Sequence, residues 1–418
     1  MQRRDLFRWG AGLTALAALG RLAPAASAPR ARTARRLLFV FAQGGWDTSY
    51  ALDPKQAPLV DVPEGALQRF GELEAFTHAS RPAALDYFTR HAAVTATVRG
   101  VLVGSVAHPE CQKRMATGTR SESNPDLPAI VAHDLGNDLP LPYLVLGDLA
   151  FTGPFSASAG RVGMRNQLVT LLDPRQAYDA ELAAPLWETD GEAAVIERYA
   201  QASAARQRAV RGAHGYNRRR IDDFIESVGR GQKLAAARAG LGRRGRTLVF
   251  DDQISFALDA LEQDLSQTVM LNTRLDYDTH ADNFEQAASQ ELTFAGLARI
   301  MDELTLRPGR QVGTRMIDDT VVVCLSEFSR TPKRNSKAGK DHWPVGAAVI
   351  AGAGVRGGHS YGGTTPEGNA TMIDFTSGSV SASGRSLGAG NLAAGILSLC
   401  GVDPSAHLDA EGFHAFAS

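Results

Sequence analysis

The chain has 418 residues, 44% of them hydrophobic and 21% charged, which suits one large globular domain or two ordinary ones. Its 44 Lys and Arg against 45 Asp and Glu leave a net charge of −1, so bulk charge makes no case for a nucleic-acid or membrane-surface partner. The three cysteines, Cys111, Cys324 and Cys400, are far apart and form no CxxC pair, which argues against a disulfide framework or a thiolate zinc site.

Residues 1–28 read as a targeting segment. Arg3-Arg4-Asp5-Leu6-Phe7-Arg8 is a twin-arginine pattern, Trp9–Ala23 is modestly apolar, and Ala26-Ser27-Ala28 fits a small-residue cleavage site. The apolar part is interrupted by Arg21 and is too short and weak for a stable membrane span. Removing residues 1–28 takes away four Arg and one Asp and leaves −4. The expectation is a soluble bacterial protein carried by the twin-arginine translocase to the periplasm or beyond, a route that moves folded cargo.

Leu37–Ala42 is a short apolar run and predicts a buried strand. It ends in Gln43-Gly44-Gly45-Trp46-Asp47-Thr48, where two glycines permit a sharp turn and close backbone approach. Asp47 is thus presented just past a strand end, beside Thr48 and Ser49; a turn residue or helix N-cap is an equal alternative. Leu67–Phe76 and Pro82–His91 are helical candidates, and Ala92–Val98 predicts another strand. Beyond it, Cys111–Gly118 begins a helix, and Ser105 and His108 near its start meet free backbone N–H groups, a natural anion site. A lone His there is more often structural.

Leu127–Leu135 predicts a helix, Pro142–Leu146 a strand, and Gly153–Arg165 a loop. Ala183–Ala239 is largely helix-forming, and residues 155–265 read as a helical insertion or cap. Its arginines make a solvated basic face; aromatics do not interleave with them, which argues against RNA. Ser266–Thr273 predicts a strand that runs into Asp276-Tyr277-Asp278-Thr279-His280. In extended backbone, residues two apart point the same way, so Asp278 and His280 have a spacing that two ligands of one metal can use. A helix over Phe284–Leu306 follows.

Thr320–Leu325 is a continuous apolar, β-branched run and predicts a buried parallel strand. It breaks into Ser326, Glu327, Ser329, Arg330 and Thr331 before Pro332, and Asp341-His342-Trp343-Pro344 closes the loop that follows. Val345–Ala351 is a further strand. The glycine-rich Gly352–Gly363 lacks the strand–GxGxxG–helix setting of a dinucleotide site. Asn391–Cys400 predicts a helix stopped by Gly401-Val402-Asp403-Pro404.

Polar residues therefore follow four apparent strands: Asp47; Ser105 and His108; Asp278 and His280; and Glu327 with Asp341 and His342. Carboxylates and imidazoles without thiolates suit zinc, manganese, iron or magnesium. Two such ions can clamp a phosphate or sulfate ester, Arg330 can pair with the anion, and Thr48, Ser49 or Ser105 can serve as a hydroxyl nucleophile. The plain alternative is an α/β fold whose loop carboxylates cap helices and pair with arginines.

The leader, the strand ending FAQGGWDTS, the DYDTH segment and VVVCLSEFSRTPKRNSKAGKDHWP together resemble the domain-of-unknown-function 1501 family over roughly residues 36–405. That family resembles a branch of the alkaline phosphatase, sulfatase and cofactor-independent phosphoglycerate mutase superfamily. The resemblance implies an α/β fold with a mainly parallel central sheet, helices on both faces and a two-metal hydrolytic site at the strand ends. By position, Asp47 looks like the superfamily's first-strand metal Asp, Asp278 and His280 like its more widely spaced Asp/His pair, and His342 like its late His ligand. Glu327 stands where Asp-His is usual. Asp341, pointing opposite to His342, supports the loop. Ala107-His108 replaces a Ser-His, so Ser105 or Thr48 substitutes or that chemistry is missing. The expectation is an exported hydrolase of a phosphate or sulfate ester, acting on an anionic small molecule or glycan. Zinc, manganese or magnesium sits on Asp47, Asp278, His280, Glu327 and His342, Thr48 or Ser105 is the nucleophile, and Arg330 binds the anion. The alternative is a non-catalytic envelope or glycan-binding protein on a degenerate version of the fold.

Overall fold

In the computed structural model, residues 34–121, 123–162, 190–212, 215–237 and 249–418 are described; residues 1–28, read from the sequence as a targeting segment, lie outside them. The apolar run at the start becomes β1 (Arg36–Phe41), buried at every position. Next come β2 (Ala66–Phe70), β3 (Leu73–Thr77), β4 (Thr95–Leu102), β5 (Tyr143–Val145) and β6 (Ala159–Arg161). They are followed by β7 (Thr268–Asn272), β8 (Thr320–Leu325), β9 (Ser329–Arg330), β10 (His342–Trp343), β11 (Val345–Gly352) and β12 (His359–Gly362). Eight of these form one sheet in the order β12-β4-β11-β8-β1-β7-β5-β6. Every neighbouring pair is parallel except those made by β11, which runs antiparallel to both β4 and β8.

Alternation along the strands sends side chains to two cores. Leu37, Phe39 and Phe41 of β1 face α2 (His108–Thr117), α3 (Leu127–Gly136) and α8 (Ala389–Cys400), meeting residues such as Met115, Ile130 and Leu392. Leu38 and Val40 face α1 (Pro82–His91), α6 (Phe250–Glu262) and α7 (Glu285–Leu306), meeting Phe88, Leu258 and Leu297. The fold is thus an α/β sheet covered on both sides, with full burial of each such side chain contributing about 1.5–3 kcal/mol. Within the span read as an insertion, α4 (Asp190–Arg211) and α5 (Gly215–Ala237) form a helical pair, whereas α6 lies in the core with Ile254, Leu258 and Leu261 fully buried.

Leu67–Phe76 is not helical. It is the antiparallel β2–β3 hairpin, paired from Ala66↔Thr77 to Phe70↔Leu73. Gly71, at φ +71°, opens its two-residue turn, a conformation that glycine adopts without steric cost. The strand expected over Ala92–Val98 begins later, at Thr95, after a short 3-10 turn, and runs on to Leu102. Among the described residues no helix is long and apolar enough to cross a membrane.

What matters for the site is one edge of the sheet. β1, β4, β7 and β8 all end there, and ligands of open α/β sheets bind at such carboxyl ends. The segment after β8 never leaves that edge. It folds into the β9–β10 ribbon, pairing Arg330 with His342 and Ser329 with Trp343, and re-enters the sheet in reverse as β11.

Candidate metal centre

Two residues past β8, Glu327 is fully buried. Its Oε1 accepts hydrogen bonds from Gly44 N at 2.9 Å and Gln112 Nε2 at 3.2 Å, and lies 2.7 Å from His108 Nδ1. Ser326 Oγ donates to Oε2 at 3.0 Å. Burial pushes the carboxyl pKa up, but the bonds from His108, Gly44 and Gln112 outweigh it and hold the group below its ordinary range. The same bond to Glu327 raises the His108 pKa, against the opposing effect of burial. Nδ1 therefore carries the proton that faces the carboxylate. The other ring nitrogen, Nε2, is buried without a hydrogen-bond partner and points at Asp278 Oδ1, 3.3 Å away.

The loop after β7 delivers Asp278 and His280. It is pressed against the turn after β1: a Cβ on Gly44, whose φ is +114°, would stand 3.0 Å from the backbone nitrogens of Tyr277 and Asp278. On its other side Gly339 lies so close that a Cβ would come within 2.0 Å of the His280 carbonyl oxygen. His280 Nδ1 faces Asp341 Oδ1 at 2.9 Å. Its Nε2 is 3.2 Å from Asp278 Oδ1 and 2.9 Å from His342 Nε2. His342 Nδ1 donates to the Val106 carbonyl at 2.7 Å, leaving its Nε2 3.3 Å from Asp278 Oδ1. Burial lowers the His342 pKa and favours the neutral ring.

Three imidazoles thus turn Nε2 toward one carboxylate oxygen, and each has its Nδ1 tied to a carboxylate or carbonyl. Metal-ligating histidines are usually held this way, with the outer acceptor fixing ring and tautomer. Carbonyl and carboxylate acceptors require Nδ1–H, so His280 and His342, when neutral, set two Nε2 lone pairs against each other. With the partnerless Nε2 of His108, this arrangement fits a cation and leaves polar atoms unmatched without one. Ligand atoms of His108, Asp278 and His342 all lie within 4.8 Å of one another.

The remaining expected residues sit differently. Arg330 is buried, and its guanidinium is spent inside the fold. Nε donates to Gly45 O at 2.8 Å and Nη1 to Lys340 O at 3.1 Å. Nη2 donates to Gly44 O, to Tyr277 O at 2.8 Å and to Asp278 Oδ1 at 2.7 Å. Burial would raise the Asp278 pKa, but the bond and charge of Arg330 reverse this and bring it to about 2. Arg330 is therefore placed as a brace for Asp278 and two loops. Asp47 is not among the convergent groups. Its Oδ1 accepts from Ser49 N at 3.0 Å and Ser49 Oγ at 2.6 Å, and its Oδ2 from Lys340 Nζ at 2.7 Å and Asn283 Nδ2 at 2.9 Å. It caps the 3-10 turn Thr48–Tyr50, the alternative that its position allowed. Asp47, Thr48, Arg99, Ser329, Arg330 and Trp343 border a small cavity, and in the ribbon the paired Ser329 and Trp343 alternate with the paired Arg330 and His342. Thr48 Oγ1 pairs with Ser329 Oγ at 3.0 Å, and Ser105 Oγ donates to Glu110 at 2.6 Å.

Sequence reasoning named Asp278, His280, Glu327, Arg330 and His342, and the structure brings all five together, with Glu327 behind His108 rather than facing the convergent oxygen. It left His108 out of the ligand set, although a His opening α2 at the sheet edge was the available signal. Lys340, Gln112 and Asn283 were missed, because a lysine in a basic loop and single amides look like ordinary surface residues.

Fold and site define an α/β protein with a histidine-rich candidate metal centre at the carboxyl edge of its sheet. The family model described as "Protein of unknown function (DUF1501)" matches residues 34–409, and the chain belongs to that family. No curated protein matches it in sequence. Solved structures similar to it include a protein in the alkaline phosphatase superfamily from Vibrio parahaemolyticus. That match has 10% identity, covers 90% of this chain and 69% of that one, and has a TM-score of 0.39. Others are the phosphonate monoester hydrolase SpPMH from Silicibacter pomeroyi, with 12% identity, coverage of 92% and 76%, and a TM-score of 0.38, and the PsFucS1 sulfatase from Pseudoalteromonas sp., with 8% identity, coverage of 88% and 68%, and a TM-score of 0.36.

Proposed function

We propose that this chain is an exported, metal-dependent hydrolase of a phosphate or sulfate ester. The observation that carries the reading is the convergence of His108, His280 and His342 Nε2 on Asp278 Oδ1, with each ring anchored through Nδ1. His108, Asp278 and His342, whose ligand atoms lie within 4.8 Å of one another, would hold a divalent ion, with His280 beside them. Such an ion, when bound, polarises an ester oxygen and makes a water more acidic. The chain's own residues prepare the site. Arg330 keeps Asp278 ionised and aimed, Glu327 fixes His108, and Asp341 fixes His280. His108 is also the first residue of α2, whose N-terminal partial positive charge suits an anionic substrate. The twin-arginine leader supports export through the translocase to the periplasm.

The test is turnover of p-nitrophenyl phosphate, p-nitrophenyl sulfate and bis-p-nitrophenyl phosphate with added zinc, manganese or magnesium. Turnover should vanish with chelator and in His342→Ala. A chain that neither retains an ion nor turns over any ester refutes the proposal. A second reading, a non-catalytic glycan- or envelope-binding protein, is favoured by the internal commitment of Arg330, Thr48 and Ser105. It expects saturable binding to an envelope glycan fraction without turnover.

A further inference from the structure

The chain carries more than one carboxylate near its sheet edge, so the number and kind of ions it takes is a separate question, which rests on the reading above. Two ligand atoms bonded to one ion at about 2.0–2.1 Å stand roughly 2.9 Å apart at a right angle and roughly 3.4 Å apart at a tetrahedral angle. The separations here fall in that window: 2.9 Å between His280 and His342 Nε2, and 3.2, 3.3 and 3.3 Å from Asp278 Oδ1 to His280, His342 and His108. His108, Asp278 and His342 form the mutually close set, within 4.8 Å of one another, that one ion can join, and His280 stands beside it, 2.9 Å from His342.

A second ion needs carboxylates of its own, and the two buried ones at hand, Glu327 and Asp47, are committed. Both oxygens of Glu327 are engaged by His108, Gly44, Gln112 and Ser326. Both oxygens of Asp47 accept from Ser49, Asn283 and Lys340. Lys340 Nζ and the Asp47 carboxylate are 2.7 Å apart, with side chains 0% and 2% exposed. The lysine is held in place through its backbone, N to Thr279 O at 3.1 Å and O from Arg330 Nη1 at 3.1 Å. It arrives from the residue next to Asp341, which anchors His280.

We propose that this centre takes a single ion of the zinc class on His108, Asp278 and His342, and that the Lys340 ammonium fills the place of a second cation on Asp47. Two imidazoles with one carboxylate suit zinc and its transition-metal neighbours, whereas magnesium prefers oxygen ligands and keeps its waters. Asp47 is thereby neutralised by the chain itself.

The experiment loads the protein with zinc chloride or magnesium chloride, dialyses it and counts ions per chain by elemental analysis and native mass spectrometry. The expected result is one zinc per chain, none in His342→Ala, and magnesium bound at least 100-fold more weakly in titration. The double variant Asp47→Asn with Lys340→Met removes both buried charges together and should still hold one zinc. Two zinc ions in the unaltered chain, loss of zinc from that double variant, or magnesium held as tightly as zinc would overturn the inference while leaving a metal-dependent hydrolase standing. No ion retained under either load overturns that reading and this inference with it.

Discussion

Replacing Lys340 with Met keeps side-chain length and removes the charge, leaving the Asp47 carboxylate buried without its counter-ion. Breaking such a pair from one side costs about 3–5 kcal/mol, most of it the penalty of an uncompensated buried charge. Asp47 keeps three other donors, Ser49 N, Ser49 Oγ and Asn283 Nδ2, so the expected loss lies near the lower end, about 3 kcal/mol. Asp47→Asn fails differently. It leaves the Lys340 ammonium buried without its counter-ion and points an amide N–H toward Lys340 and Asn283, both donors, at an expected loss of about 3 kcal/mol. In the double variant no charge is left unpaired. Its loss should therefore fall short of the sum of the singles by about 2 kcal/mol, within the range for groups in direct contact. Equilibrium urea unfolding of the three variants, followed by circular dichroism, gives the cycle. Additivity of the two single losses to within about 0.5 kcal/mol, the behaviour of independent sites, would refute the ion pair as drawn.

Glu327→Gln should weaken zinc affinity by about 10–100-fold in isothermal titration, the usual cost of losing an outer partner of a ligating histidine, and unchanged affinity would deny Glu327 that role. Gly339→Ala puts a methyl group into the His280 carbonyl; an expected drop in zinc affinity of at least about tenfold follows from moving two ligand loops apart, and a variant that binds as well as the parent contradicts the close approach. Asp126, the N-cap of α3, accepts from Ala129 N, Phe151 N and Tyr143 OH, but its full burial outweighs them and pushes the carboxyl up to about 7. Between the unfolded value near 3.8 and about 7 the folded state holds the proton and the unfolded state does not, so this group's contribution is complete below pH 4 and is lost as pH rises through 7. Asp126→Asn should therefore remove a downward slope of stability between pH 5 and 7 of up to about 1.4 kcal/mol per pH unit, and parallel pH profiles for parent and variant would rule this out.

How far the chain could be read in one dimension followed the range of the forces involved. Leu37–Ala42, Thr320–Leu325 and Val345–Ala351 announced strands because an unbroken β-branched or apolar run is a local property and buries on both faces. The stop after Cys400 was equally local, since Gly401 alone supplies the left-handed φ of +91°. Leu67–Phe76 misled because its apolar spacing also suits a helix. Gly71 and the pairing of Phe70 with Leu73 override that spacing, and cross-strand pairing is invisible in spacing alone.

At the site, Asp278, His280 and His342 stood out by residue type and by their place after strands. Glu327, Arg330 and Asp47 stood out equally, and nothing in their order separates a group that faces a cavity from one that braces a neighbour. Composition and pattern by themselves determined an α/β chain with its acids and imidazoles gathered at strand ends. Only the packed structure decided that Glu327 holds His108, that Arg330 serves Asp278, and that Lys340 neutralises Asp47. Those partnerships join residues more than fifty positions apart, and in a buried site a carboxylate's role is set by whichever donor lies within 3 Å of it.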